Sequence, residues 1–357
     1  MKSMKKLVLA GLVLLASVVV LAGCKMEPEG QQGPKVYEFT SEPRILSDYE
    51  SPNNTDRKWT YVAFGDWPQT IKIKGVTVDK TKSRQMGMFT AYLGSDGNYY
   101  VEAEERAYGS GSEYKYSDRT QVGQDGASKK WFKVEPIVWR VLTEDYKVPG
   151  ENGEPQSTEK ALLLAENILT GGIKWADSTN NYMESNIRKW LNGNNGDAGF
   201  LQTAFTETAR DQIADTKVDN SVTSTLPNTL TDDQKSSDWY NGENKYACEN
   251  TTDKIFLLSE QEATMSDYGF AEYNVYVGDS KGTTTSTRIR VTTDYAKATG
   301  AYQSSTENYG GWWWLRSPYY GNESDARFIY DYGSAIFHSS VADVRGGVVP
   351  ALSISLQ

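Results

Sequence analysis

Between Tyr319 and Arg345, fifteen of 27 residues are Tyr, Phe, His, Ser, Asp or Asn, and none is Lys. Tyr and Phe supply large, stiff contact area, while Ser, Asn and Asp supply adaptable hydrogen bonds. That mixture suits an antibody-type binding surface. The candidate ligand-binding residues are Tyr319, Tyr320, Asn322, Ser324, Asp325, Phe328, Tyr330, Tyr332, Phe337, His338, Ser339 and Ser340. Ala326, Ile329, Gly333, Ala335, Val341 and Gly347 are small or apolar and are assigned to packing and turns. Composition alone favours an ordinary strand-and-turn region with half-buried Tyr rings; only the resemblance described below turns the balance toward binding.

No catalytic constellation competes with this reading. A single His argues against His-metal clusters and Ser-His-Asp triads, and two Cys argue against zinc ribbons and a disulfide framework. A net charge of −10 should repel phosphate backbones, so nucleic acid is not an expected partner. Asp96 and Asn98 share a Gly-flanked turn, but no loop matches the ligand ladder of a calcium site, which wants about six to eight oxygens. No spacing singles out the carboxylate pair of a glycosidase. The expectation is a non-enzymatic protein without cofactor or metal.

The elements that must position these residues begin after an export signal. Lys2, Lys5 and Lys6 precede an uncharged run from Leu7 to Gly23. At 17 residues it falls short of the roughly 20 that cross a bilayer comfortably. Leu21-Ala22-Gly23-Cys24 resembles a bacterial lipobox, which implies cleavage before Cys24 and lipidation of Cys24. Several acyl chains anchor a protein stably where one holds it only marginally. Residues 1–23 are thus a lipoprotein signal peptide, 24–55 a flexible tether of loop composition, and 56–357 the folded domain. Cys248 is then left without a partner and reads as a small buried residue.

The segment 56–145 is β-rich. Tyr61 to Phe64 reads as a short strand stopped by Gly65-Asp66 and Pro68. Ile71–Ile73 and Val76–Val78 flank a Lys-Gly turn as a hairpin, and Tyr92-Leu93 with Tyr99–Val101 form another around Gly94–Asn98. Gly109–Gly126 is a polar loop. Ile137–Leu142 and Ala161–Leu164 bracket a third hairpin. Met183, Ile187, Trp190 and Leu191 share one helical face, with Asn192-Gly193 as its stop. A second helix is expected from the N-cap Thr206 to about Asp215. Ile255–Leu258 is a buried strand, and Ser259 with Glu262 a capping box. Trp312 to Leu315 is a strand whose indoles demand cover on both faces. Ala326–Tyr330, Ser334–Phe337 and Val348–Ile354 complete an antiparallel set.

Six segments occur together in order: Phe64-Gly65-Asp66-Trp67-Pro68-Gln69, Gly94-Ser95-Asp96-Gly97, Pro136-Ile137-Val138-Trp139-Arg140, Ser185-Asn186-Ile187-Arg188-Lys189-Trp190-Leu191-Asn192, Asp253-Lys254-Ile255-Phe256-Leu257-Leu258-Ser259 and Trp313-Trp314-Leu315-Arg316-Ser317-Pro318. Over about 60–357 they resemble a bacterial domain family without assigned activity, related to C-type-lectin-like folds of the formylglycine-generating-enzyme type. Val349 departs from the Arg usual before Pro350-Ala351-Leu352. The resemblance implies an α+β, C-type-lectin-like fold with short antiparallel sheets, two main helices and long loops.

Joined to a lipoprotein signal, the domain resembles the treponemal variable proteins targeted by diversity-generating retroelements. That implies a diversified ligand-binding segment at about 312–357, displayed on the cell envelope, at the outer membrane surface, by a lipid-anchored monomer. The implied partners are proteins or other macromolecules on host or neighbouring cells, together with the membrane through the lipid. The alternative is a structural or adhesin-type envelope lipoprotein with a fixed lectin-like surface.

Overall fold

Extended, β-prone segments dominate the first half of the chain. The computed structural model describes residues 34–53, 59–109, 114–194, 196–228, 244–270, 287–306, 310–335 and 337–356. The signal, Cys24 and the start of the tether lie outside them. The strands of this half are β1 (Arg44–Leu46), β2 (Tyr61–Ile71), β3 (Val78–Met86), β4 (Phe89–Gly94), β5 (Tyr99–Glu104), β6 (Lys129–Thr143), β7 (Lys147–Pro149), β8 (Pro155–Ser157) and β9 (Ala161–Ala165). Short helices follow: α1 (Asn186–Asn192), α2 (Phe200–Ala204), α3 (Glu207–Gln212) and, later, α4 (Asp294–Ala298). The remaining strands are β10 (Thr216–Val218), β11 (Thr251–Asp253), β12 (Ile255–Phe256), β13 (Trp313–Pro318), β14 (Asp325–Ile329), β15 (Phe337–Ser340) and β16 (Ala351–Ile354).

The fold class is α+β. A nine-stranded antiparallel sheet runs β12-β16-β9-β6-β5-β4-β3, with β2 beside β6 and β1 beside β2. A separate three-stranded antiparallel sheet, β13-β14-β15, carries the C-terminal candidates. β6 is long enough to pair with β2 over most of its length and with β5 and β9 at its two ends. Its inward Phe132, Val134, Ile137 and Trp139 are fully buried.

Several expectations are corrected. Gly65-Asp66 and Pro68 bend β2 without stopping it. The register shifts between Ala63 and Asp66 and again between Pro68 and Thr70, and such bulges accommodate a proline within a sheet. Gly65 has φ +72°, and a Cβ there would lie 2.5 Å from the Phe205 ring. Residues 71 and 78 flank a turn but do not pair; β3 pairs instead with β4, a polar partnership that hydrophobic alternation does not reveal. The described part of the 109–126 loop is tied into the core: Tyr116 is buried and donates to Glu105 at 2.8 Å.

The hairpins β4–β5 and β6–β9 form as expected. Helix α1 starts at the Ser185 cap, so Met183 sits in the preceding 3₁₀ turn; Gly193, at φ +85°, follows its last residue. Helix α3 starts at the Thr206 cap but ends at Gln212, three residues short of Asp215. α2 and α4 were not legible, being five residues each. β13 runs on through Arg316 to Pro318, and β16 leaves the C-terminal set to pair with β9 and β12. Trp312, Trp313 and Trp314 are all buried, so both indole faces are covered.

Candidate functional site

The quoted sequence segments mostly recognise one another. Asp66 accepts hydrogen bonds from the Tyr37 hydroxyl and from Thr40, fastening the N-terminal strap to β2. Trp67 Nε1 donates to the Leu169 carbonyl at 3.0 Å, and Gln69 Nε2 donates to the carbonyls of Glu135 and Pro136. Arg188 of α1 forms an ion pair with Asp253 at 2.8 Å. Asn192 donates to the Ile255 carbonyl and accepts from Lys254 N and Ile255 N, so its amide continues the edge of β12 as a peptide would. The capping box is reciprocal: Ser259 N donates to Glu262, and Glu262 N donates to Ser259 Oγ. Glu262 also receives Arg316 from β13 and the Tyr146 hydroxyl. These residues are scaffold. A binding function must use side chains left outside this network.

The C-terminal sheet supplies them, on two faces. Cross-strand partners point the same way. Asp325 pairs with Ser340 and Arg327 with His338, which sets one face. Ala326 pairs with Ser339 and Phe328 with Phe337, which sets the other.

On the first face the His338 ring stacks on Tyr319 at 3.6 Å with the planes 4° apart, and Tyr320 lies 4.8 Å from Tyr319. His338 Nδ1 is 2.8 Å from Asp325 Oδ2, which also accepts from Asn322 Nδ2. The guanidinium of Arg327 lies 4.9 Å from the Tyr319 ring centre, and Arg327 itself is buried in an ion pair with Glu260 at 3.1 Å. Asn180 fixes the loop beneath. Its Nδ2 donates to the carbonyls of Tyr319, Asn322 and Asp325, and its backbone N–H donates to that of Glu323.

The second face is aromatic. Phe328 packs on Trp312 at 4.6 Å and extends through Phe337 and Tyr330 to Tyr332. Tyr302 and Tyr108 pair edge-to-face at 5.1 Å, and Tyr302 donates to Asp331. The Arg345 guanidinium, paired with Asp343, lies 5.3 Å from the Tyr108 ring. Burial pushes the Asp331 carboxyl up and also raises the Tyr302 and Tyr330 hydroxyls.

Of the twelve expected contact residues, Ser324, His338 and Ser340 are exposed, and Tyr319, Tyr320, Asn322, Asp325, Tyr330, Tyr332, Phe337 and Ser339 are half-buried. Phe328 is a correction: it is 6% exposed because both Trp312 and Trp314 close over it. The twelve do not form one surface, because strand alternation divides them. The six residues assigned to packing are all buried. Sequence reading missed Asn180, Arg327, Tyr302 and Tyr108. Only Tyr108 carried a signal, standing at the edge of the Gly/Ser-rich loop.

A family model described as a domain of unknown function, DUF6273, matches residues 158–356, more than half of the chain. The chain belongs to the DUF6273 family. Comparison with curated proteins and with solved structures gave no match. The DUF6273 match takes in α1, the β12 segment and the whole C-terminal sheet, while the Phe64 and Pro136 segments precede it.

Asp96 and Cys248, the remaining residues of chemical interest, have defined surroundings. Asp96 is occupied by Asn98 and Tyr100; burial works against ionisation, but those hydrogen bonds outweigh it and hold the carboxyl below its ordinary range. Cys248 is a half-buried free thiol whose ionisation burial opposes, so it is poorly suited to nucleophilic work. Among the described residues no group of three or more His, Cys, Asp or Glu could hold a metal ion, and no helix is long and apolar enough to cross a membrane.

Proposed function

We propose that this chain is a non-catalytic, surface-displayed ligand-binding lipoprotein whose C-terminal sheet is the binding surface, diversified by a retroelement. Lipidated Cys24 tethers a monomer at the outer face of the envelope, and the domain is of the C-type-lectin-like, formylglycine-generating-enzyme type. Its ligands are proteins or other macromolecules of host or neighbouring cells. A lectin-like fold names an architecture and carries no commitment to sugar.

One observation carries the reading. Tyr319, His338 and Ser340 lie along one side of a hairpin whose turn is held by Asn180, whose opposite face packs on the Trp312–Trp314 cluster through Phe328, and whose Arg327 is fixed beside them by Glu260. Side chains above such a support can change without moving it, and stiff aromatic contacts limit the entropy lost on binding.

Sequencing the 3′ end of the gene and its flank tests the proposal. The expected result is a near-copy beside a reverse transcriptase, differing only at adenines of the copy. The altered codons should include Tyr319, Tyr332, His338 and Ser340 and should spare Ala326, Ile329, Ala335 and Val341. No copy, or changes concentrated at those four buried positions, would refute diversification.

A further inference from the structure

Beside Arg316 of β13, the β7–β8 hairpin and the 259–268 segment line an open cavity of about 570 Å³. Small-molecule sites typically measure about 300–1,000 Å³. The floor is the buried network of Arg316, Glu262 and Tyr146, whose groups satisfy one another and therefore hold a fixed geometry. Arg316 is fastened further by the carbonyls of Leu257 and Asp219. Val148, Pro149, Met265 and Tyr268 give the lining an apolar wall. Tyr268 is only 7% exposed, yet its hydroxyl has no hydrogen-bond partner among the described residues, and burial keeps it protonated. The hydroxyl opens onto the cavity and is free to donate to, or accept from, whatever occupies it.

The charges select the ligand. Glu262 and Arg316 neutralise each other, which leaves Asp145, Asp219 and Asp267 facing Lys147 alone. A cleft lined by an excess of one sign concentrates the opposite charge. We infer that this cavity binds a small organic cation, a primary amine or amidine carried on an apolar body. The ammonium sits among the aspartates and donates to the Tyr268 hydroxyl, and the apolar body lies against Val148 and Met265.

Benzylamine is the probe, added to the full chain and followed by ligand-observed NMR and calorimetry. A Kd of about 1 mM is expected for a ligand of that size. Benzyl alcohol, the neutral isostere, should bind about 10-fold more weakly, and benzoate more weakly still. Tyr268→Phe and Asp267→Asn should each weaken benzylamine by about 3- to 10-fold with the melting temperature unchanged. His338→Ala, on the C-terminal sheet, should leave the affinity as it was, which separates this site from the proposed macromolecular surface. The inference is overturned if benzylamine does not bind, if benzyl alcohol or a methyl glycoside binds as well as benzylamine, or if neither cavity variant changes the affinity.

Discussion

Asn180 offers the sharpest test of how the C-terminal loop is held. It is 1% exposed, and its Nδ2 lies 3.2, 2.9 and 2.8 Å from the carbonyl oxygens of Tyr319, Asn322 and Asp325. Its own Oδ1 has no partner. Asn180→Ala removes two N–H donors shared among three carbonyls, leaving buried acceptors unpaired at about 1–2 kcal/mol per lost donor, and relieves one orphaned acceptor worth about 1 kcal/mol. The expected net loss is about 1–3 kcal/mol. For a domain of this size that lowers Tm by about 2–6 °C. Asn180→Asp tests the direction of the hydrogen bonds. Its carboxylate would confront three carbonyl oxygens, so at neutral pH it should cost more than the alanine, about 3 kcal/mol or more. Burial there raises the introduced carboxyl above its unfolded pKa. The folded state then binds the extra proton, and the variant should recover stability as pH falls. Calorimetry of wild type and both variants from pH 4 to 8, as round working limits around the carboxylate range, reads this out. An alanine variant within about 0.5 kcal/mol of wild type, or an aspartate variant more stable than the alanine at pH 7, would refute the claim that this amide pins the loop.

Two further outcomes follow from the same structure. Burial pushes the Glu262 carboxyl up, but Arg316 outweighs it and holds it below its ordinary 4.5. The stability this pair contributes is therefore complete above about pH 4.5 and lost as pH falls through the lowered value. Glu262→Gln should cost about 3–5 kcal/mol at neutral pH and flatten the acid limb of a denaturation curve; an unchanged acid limb would show that other carboxylates govern it. Phe328→Ala should cost about 3–5 kcal/mol in urea unfolding while His338→Ala costs under about 1 kcal/mol; equal costs would contradict their assignment to core and surface.

Local chemistry determined much of this molecule. The Thr206 cap, the Gly193 stop, the Ser259–Glu262 box and the Gly94–Asn98 hairpin were all legible because each depends on residues within a few positions of one another, whereas the Ser185 cap was missed. The indole triplet announced a strand covered on both faces. Partner choice was not legible. β3 pairs with β4 without an apolar stripe to show it, and β16 returns to β9 from about 190 residues further along the chain. For the same reason the twelve candidates looked like one surface. Alternation gives a period of two, but only pairing through β14 and β15 decides which residues share a face and which, like Phe328, close against tryptophan. Asn180, Arg327 and the cavity above Arg316 exist only once distant segments meet. A single polar residue carries no local sign that three carbonyls, a buried carboxylate or an open cavity awaits it.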